Sequence, residues 1–465
     1  MKTQFITSLA ALTLTAVASA QEPLPAPEAN APTGSFEFGS YGRVRIASDL
    51  RGGWGRTANV VAYGTRIDED SYAELELRRE DKWKGDIKTK VVTTLALFSP
   101  FFHFTGQINQ QLAVRNLYAQ GTIGKLTLWG GSRMYRGDDV YLLNWWPLDN
   151  QNTIGGGAGY QFNADTTLAA HVGMQRLENS YQSQQLPVVA PFGTGTVNVQ
   201  KLDRPRIIET LKLTHLIRNG RLFKDPRAGF KFVVYGEGHQ IGAGVYQDTL
   251  TGQDRGLPQD YGFLFGAQLG IWTGERDTHV NLFVRHARGL AAYDPLAAPL
   301  TFANDRTTMG STETLIALGG NWEKDAFGLM GGAYLRFFRD GDVSPTTTQK
   351  YDEGTVVLRP ELFIGEHWGV AGEASFQARR FAYPDPDRNS QPLVASMWRF
   401  GLMPYFSPAG RGSFKRPQFR LIYAATVRNN GAKELYAKED VFNQRDVEHF
   451  LGLNVEWWFN SSSYL

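Results

Sequence analysis

From Ser35 to Phe459 apolar and polar residues trade places at every second position, and no stretch sustains a helical period. Phe36, Phe38, Val44 and Ile46 interleave with Glu37, Tyr41, Arg43 and Arg45. Trp368, Val370, Ala374 and Phe376 interleave with Glu373, Ser375, Gln377 and Arg379. A period of two sends one set to each face of a strand, so these segments are strands with one apolar and one polar face. Marking them all predicts about 18 strands, a number that membrane barrels use. They begin near residues 35, 71, 88, 113, 124, 155, 167, 206, 229, 261, 279, 313, 326, 354, 368, 395, 416 and 447. The run "NVVAYGTRI" (Asn59–Ile67) also has strand character, and we place it in a loop.

The connections sort by parity. Short turns such as 164–166, 273–278, 324–325 and 366–367 follow even-numbered strands, and long segments such as 48–70, 134–154, 177–205 and 289–312 follow odd-numbered ones. A soluble sandwich has no cause to segregate loop length in this way, whereas a transmembrane barrel has short turns at one rim and long loops at the other. The expected fold is therefore an all-β, antiparallel transmembrane barrel over residues 35–459. Its apolar set meets lipid, its polar set lines a lumen, and closure removes the edge strands.

Composition agrees. Mean hydropathy is −0.32, and after the N-terminus no apolar run approaches the length of a membrane-spanning helix, as half-apolar strands require. Lys2 and the run "FITSLAALTLTAVA" ahead of "ASA" (Ala18–Ala20) read as a signal peptide over 1–20, cleaved before Gln21. Residues 21–34 are Pro/Ala-rich and read as a periplasmic leader, and 460–465 as a short tail. A formal charge of +2 lacks the electrostatic footprint of a nucleic-acid binder, and the absence of cysteine excludes disulfides and thiolate metal sites. No metal-ligand spacing or phosphate loop is present, so no cofactor is expected.

The last strand, "FLGLNVEWWF" (Phe450–Phe459), raises the functional question. Trp457 and Phe459 continue its lipid face as interfacial aromatics, but Trp458 shares the lumen parity of Asn454 and Glu456. By the same parity Tyr41 with Arg43, Tyr72 with Glu74, and Phe414 with Arg416, Gln418 and Arg420 point inward. Pyranose faces carry C–H groups that stack on aromatic rings, while their hydroxyls need donors and acceptors. Aromatics flanked by Arg, Asp and Glu would hold a sugar weakly at many places, which is what flow requires. The segment "GSRMYRGDDVYLLNWWPLDN" (Gly131–Asn150) is rich in charge and aromatics, and fits either a surface loop or one folded into the lumen.

These residues resemble the maltoporins, a family of sugar-specific trimeric porins with 18 strands. "YGRVR" (Tyr41–Arg45), "SYAELEL" (Ser71–Leu77), "RMYRGDDVYLLNWW" (Arg133–Trp146), "FKRPQFRLIYA" (Phe414–Ala424) and the terminal "VEWWF" resemble family patches in the family's order. The resemblance implies an inward constriction loop at 131–150 and a bacterial outer-membrane homotrimer embedded in lipid. It places Tyr41, Tyr72, Phe414 and Trp458 on an aromatic slide, with Trp146 facing the slide across the constriction. Phe104, from "FFHF", is the candidate for the outermost slide aromatic, which a neighbouring subunit supplies in the family. Arg43, Arg66, Glu74 and Arg115 fall on polar tracks, and Asp139 on a constriction carboxylate. Asn144 stands where the family has a second carboxylate. Gly137 stands where it has an arginine, with Arg136 one place earlier. These departures bear on sugar preference.

The expected activity is facilitated diffusion of oligosaccharides, maltodextrin-like sugars favoured, without catalysis. Two other channel readings stay open: a general porin selecting by size and charge, and a channel for anionic saccharides. A barrel lipase would need a serine–histidine pair, and the eight scattered histidines show no such signature.

Overall fold

The computed structural model describes residues 33–99, 112–218, 225–274, 277–294, 299, 305–344, 349–385 and 388–461. The expected signal peptide, most of the leader, the "FFHF" segment with Phe104, and residues 462–465 lie outside these.

Eighteen antiparallel strands form one sheet, each paired with its neighbours in sequence among the barrel strands. The first strand, Thr33–Ser48, also pairs with the last, Val447–Phe459, with Tyr41 opposite Trp458 and Ser40 opposite Phe459. That pairing closes the barrel and leaves no unpaired edge, the condition for crossing a bilayer with strands. Strand starts fall close to the expected ones throughout, with the first at Thr33, inside the expected leader, and the second at Tyr72. Side chains obey the alternation: Phe36 and Leu453 are 69% and 60% exposed on the outer face, while Glu74 and Glu456 are wholly buried on the inner one. Phe38 packs on Phe459, and Trp368 on Phe406, at the rim of short turns, where interfacial aromatics belong.

Turn chemistry follows the sequence. The fourth strand, Leu112–Ile123, passes to the fifth, Leu126–Arg136, through Gly124 at φ +56, a conformation glycine adopts without cost. The parity of connection lengths holds for most of the barrel and breaks at three places, one of them the ten-residue connection 219–228 after the eighth strand. Strands Trp368–Asp385 and Gln391–Phe406 are long enough to leave only 386–390 between them. Segment 407–417 follows an even strand yet is not a tight turn, because it folds into the lumen: Ser413 N–H donates to Glu323 at 2.8 Å, and Arg416 reaches Glu456.

Two long segments enter the barrel from the other rim. Residues 137–149 carry Val140, Leu142, Leu143, Trp145 and Leu148, all buried. Val140 docks between strands Thr312–Lys324 and Phe327–Arg339, where a Cβ built on Gly319 or Gly332 would lie 3.3 or 3.0 Å from it. Residues 49–71 also turn inward, which the sequence reading did not anticipate. Val60 N–H donates to Gln377 and Ala62 N–H to Glu353, and Arg66 N–H donates to the Leu142 carbonyl. The cause is the apolar run 59–67. Val60, Val61 and Ile67 are buried, and Tyr63 stacks on Trp145 at 4.1 Å. Such side chains favour burial at about 25 cal/mol per Å2, and the cover available here is the inward loop and the far wall.

Candidate functional site

Barrel closure itself assembles a row of rings. Tyr41 and Trp458 are register partners across the seam, so their side chains share the inner face and lie 6.4 Å apart at 22°. Tyr72, on the second strand (Tyr72–Lys82), is 6.0 Å from Tyr41. Phe98, opposite Tyr72 on the third strand (Ile87–Phe98), extends the row toward the long loops at 5.4 Å. Toward the short turns, Tyr141 of the inward loop meets Trp458 at 6.3 Å and Phe414 at 5.1 Å. Phe414 is therefore in the row, but it sits in the inward-folded connection rather than on the strand, which begins at Gln418.

Charged groups flank the rings. Arg43 donates to the Tyr41 hydroxyl at 2.7 Å and to the Asp70 carbonyl at 2.8 Å. Arg66 donates to the same hydroxyl at 2.8 Å, pairs with Glu69 and Glu456 at 2.9 Å each, and lies over the Tyr141 ring. Arg115 pairs with Glu74 at 2.5 Å and hydrogen-bonds Tyr72, whose hydroxyl donates to Glu74. Glu456 is the hub, with Arg66, Arg416 and Arg420 all on its carboxylate. Tyr141 donates to it at 3.2 Å, and the Arg416 guanidinium lies 4.2 Å from the centre of the Trp458 ring. Hydrogen-bonded, multiply paired carboxylates of this kind can stay charged away from bulk water.

The remaining expected residues are placed as follows. Asp139, half-buried, is pushed up from the usual carboxylate range by desolvation, which the field of Arg66 only partly offsets. Its neighbour Asp138 is held by Lys231 at 2.8 Å and by Gln268. Asn144 adopts φ +47 and closes the short turn Tyr141–Leu143 through its N–H, a conformation that asparagine tolerates better than most residues. Arg136 donates to Asn150 at 2.7 Å, and its guanidinium lies 3.7 Å from the centre of the Trp146 ring. Trp146 thus stands at the root of the loop, and among the described residues it has no ring contact with Tyr41, Tyr72 or Trp458. The aromatic that crosses to the slide is Tyr141. Sequence reading missed Tyr141 and Phe98; Phe98 was findable, because it shares the parity of the inward Thr94 and Ala96.

The cavity lined by Arg43, Arg66, Glu69, Arg420 and Glu456 holds about 10 Å3, room for about one water. Among the described residues no group of three or more His, Asp or Glu is placed to hold a metal ion.

Comparison with known proteins agrees with this architecture. No curated protein matches the chain in sequence. Three solved outer-membrane proteins each align with 92% of the chain. OmpT of Vibrio cholerae, in its trimer form, matches at 12% identity over its whole chain with a TM-score of 0.43. The outer-membrane channel DcaP of Acinetobacter baumannii matches at 9% identity over 97% of its chain, with a TM-score of 0.47. OccAB2 of the same organism matches at 11% over 98%, with a TM-score of 0.45. The LamB porin family model covers residues 36–459, the whole of the barrel wall from Phe36 onward. The chain belongs to the LamB porin family, and it is a diffusion channel of the bacterial outer membrane.

Proposed function

We propose that this porin passes neutral oligosaccharides, maltodextrin-like sugars favoured, by sliding them along Phe98, Tyr72, Tyr41, Trp458 and Phe414. The observation that carries this reading is the spacing of the rings. Tyr72, Tyr41 and Trp458 follow one another at 6.0 and 6.4 Å without a polar gap, and Tyr41, 2% exposed, is reached once its cover moves. Arg43, Arg66, Arg115, Glu74 and Glu456 lie beside them to exchange hydrogen bonds with successive hydroxyls. Many weak stations in series are the arrangement that combines selectivity with throughput. Three inward-folded segments, 49–71, 137–149 and 407–417, argue against a wide size-selecting pore. A passing sugar has to displace Tyr141, which packs against the apolar core and is tethered to Glu456, or Arg66, which is held by hydrogen bonds. The same reading includes a homotrimer after removal of residues 1–20, on the strength of the family resemblance.

The test is sugar block of ion current through the purified protein in a planar bilayer. Maltotriose should give saturable block, weakened in Trp458→Ala and Tyr72→Ala. A steady current that neither maltotriose nor any other neutral sugar reduces would establish a general porin instead.

A further inference from the structure

A second set of rings lines the wall away from the slide, on the fourth to eighth barrel strands. Trp129, Tyr135 and His171 lie nearly parallel, with ring centres 5.7–6.3 Å apart and interplanar angles of 8–16°. The glycine run "IGGGAG" (Ile154–Gly159) makes this possible. Gly157 is the register partner of both Trp129 and His171, and a Cβ there would come within 2.2 Å of the indole. With no side chain in the way, the indole lies over that glycine and donates its N–H to His171 at 3.2 Å. The space above Gly159 and Ala169 stays empty. It is a cavity of about 480 Å3, running from Gly137 at the root of the inward loop to the turn at Gly124 and Lys125. That volume lies within the ~300–1,000 Å3 range of small-molecule sites.

The charge lining this cavity is one-sided. Arg115, Lys125, Arg133, Arg136 and Lys212 face it, and no carboxylate does. Arg115 is matched by Glu74, and Lys212 by Asp149 at 2.6 Å. Arg133 is different: it lies 4.9, 4.8 and 5.8 Å from the ring centres of Tyr118, Trp129 and Tyr135, with no carboxylate at ion-pair distance among the described residues. The Tyr135 hydroxyl, itself buried, has no hydrogen-bond partner among the described residues, while the Lys212 ammonium lies over its ring. Gln120, Thr122, Thr127 and Gln161 supply further hydrogen-bonding groups. Aromatic faces for a ring, amides and hydroxyls for its hydroxyls, and one guanidinium with open donor positions are the complement of a sugar ring that carries a carboxylate.

We propose that this cavity is a second binding station, specific for anionic saccharides of the uronate type. It adjoins the neutral-sugar slide at Arg115 and is centred on Arg133 and Trp129. Arg133 would clamp the carboxylate, and Trp129 with Tyr135 would stack on the pyranose. The proposal rests on the reading of this chain as a saccharide channel, and its test is separable from the test of the slide.

The experiment is current block of the full-length protein in a planar bilayer by trigalacturonate, by its neutral methyl ester, and by maltotriose. In the wild type the free acid should block at least tenfold more tightly than the ester, and raising salt should weaken its block but not that of maltotriose. Arg133→Gln should raise the trigalacturonate midpoint at least tenfold and leave maltotriose block unchanged, with Arg133→Lys intermediate. Trp458→Ala should do the reverse. The proposal is overturned if acid and ester block the wild type alike, if trigalacturonate does not block at all, or if its block follows Trp458 rather than Arg133. Loss of maltotriose block alone in the wild type would sink the slide and leave the Arg133 station standing.

Discussion

The two aromatic walls of this lumen use the same residue types to opposite ends. On the slide every charge is answered: Glu456 takes three arginines, and Glu74 takes Arg115. Around Trp129 the rings are packed as closely, yet Arg133 has no carboxylate beside it, and a cavity of about 480 Å3 lies in front of it. The difference traces to the residues between the rings. Side chains that meet across the seam fill the first wall. In the second, Gly157 lets the Trp129 indole lie across it, and Gly159 leaves room beside the indole. A ring lining a channel is therefore not by itself a track. Whether it becomes a track or a pocket depends on how its neighbours settle charge and volume.

That contrast can be broken most directly at Glu456. Glu456→Gln leaves Arg416 and Arg420 without their ion-pair partner and Arg66 with Glu69 alone, and removing one partner of a buried ion pair costs ~3–5 kcal/mol. Urea unfolding in detergent micelles should show a loss of that order, and single-channel recordings should show excess noise as Tyr141 and Arg66 lose their anchor. An equally stable, quiet channel would mean that the slide is no more charge-locked than the wall around Trp129.

A smaller effect is expected from pH, through the segment that carries Arg66. Burial pushes the Asp68 carboxyl up to about 6, against the opposing fields of Arg399 and Arg45. With the folded value above the unfolded one, its contribution to stability is fully present below about pH 4 and is lost as pH rises through 6. Between pH 7.5 and 4.5 wild-type unfolding should gain on the order of 2 kcal/mol relative to Asp68→Asn, which carries no charge at either pH. Parallel pH profiles for the two proteins would show that segment 49–71 is not held through this carboxyl.

Trp458→Ala should then weaken maltotriose block roughly tenfold, about 1.4 kcal/mol, while trigalacturonate block stays put. The mildest change is Tyr141→Phe. It deletes one hydroxyl that donates to Glu456 and accepts from Arg416, worth roughly 0.5–1.5 kcal/mol. Maltotriose should enter and leave faster at nearly unchanged affinity, visible in the power spectrum of sugar-induced current noise. Slower exchange would identify Tyr141 as a stacking partner rather than an obstruction.

Much of this was legible in the chain. A period of two carries both the strand positions and the side that each residue takes, which is why Tyr41, Tyr72 and Trp458 could be assigned to the lumen and found together. Phe414 shows the limit of the method. Its parity pointed inward, but the strand begins at Gln418, so it reaches the slide through a folded connection. Inside loops parity has no meaning. In 137–149 the ring that crosses the lumen is Tyr141, not Trp146, because the short turn ending at Asn144 sets which side chains project. The apolar run at 59–67 was visible but had no place in an alternating pattern. "GGG" at 155–157 is uninformative until Trp129 is seen lying across it.

The seating of Val140 against Gly319 and Gly332 has a consequence for how the pore is made. The loop leaves the wall after the fifth strand, and its seat is built by the twelfth and thirteenth. In an unrolled sheet that seat would lie far along the ribbon, out of reach. The narrowing therefore cannot exist before the wall curls round on itself, and a half-inserted chain is a wider, leakier object than the finished one. Membrane permeability during biogenesis should fall in a discrete late step, when the last strand finds the first and the loop finds its seat.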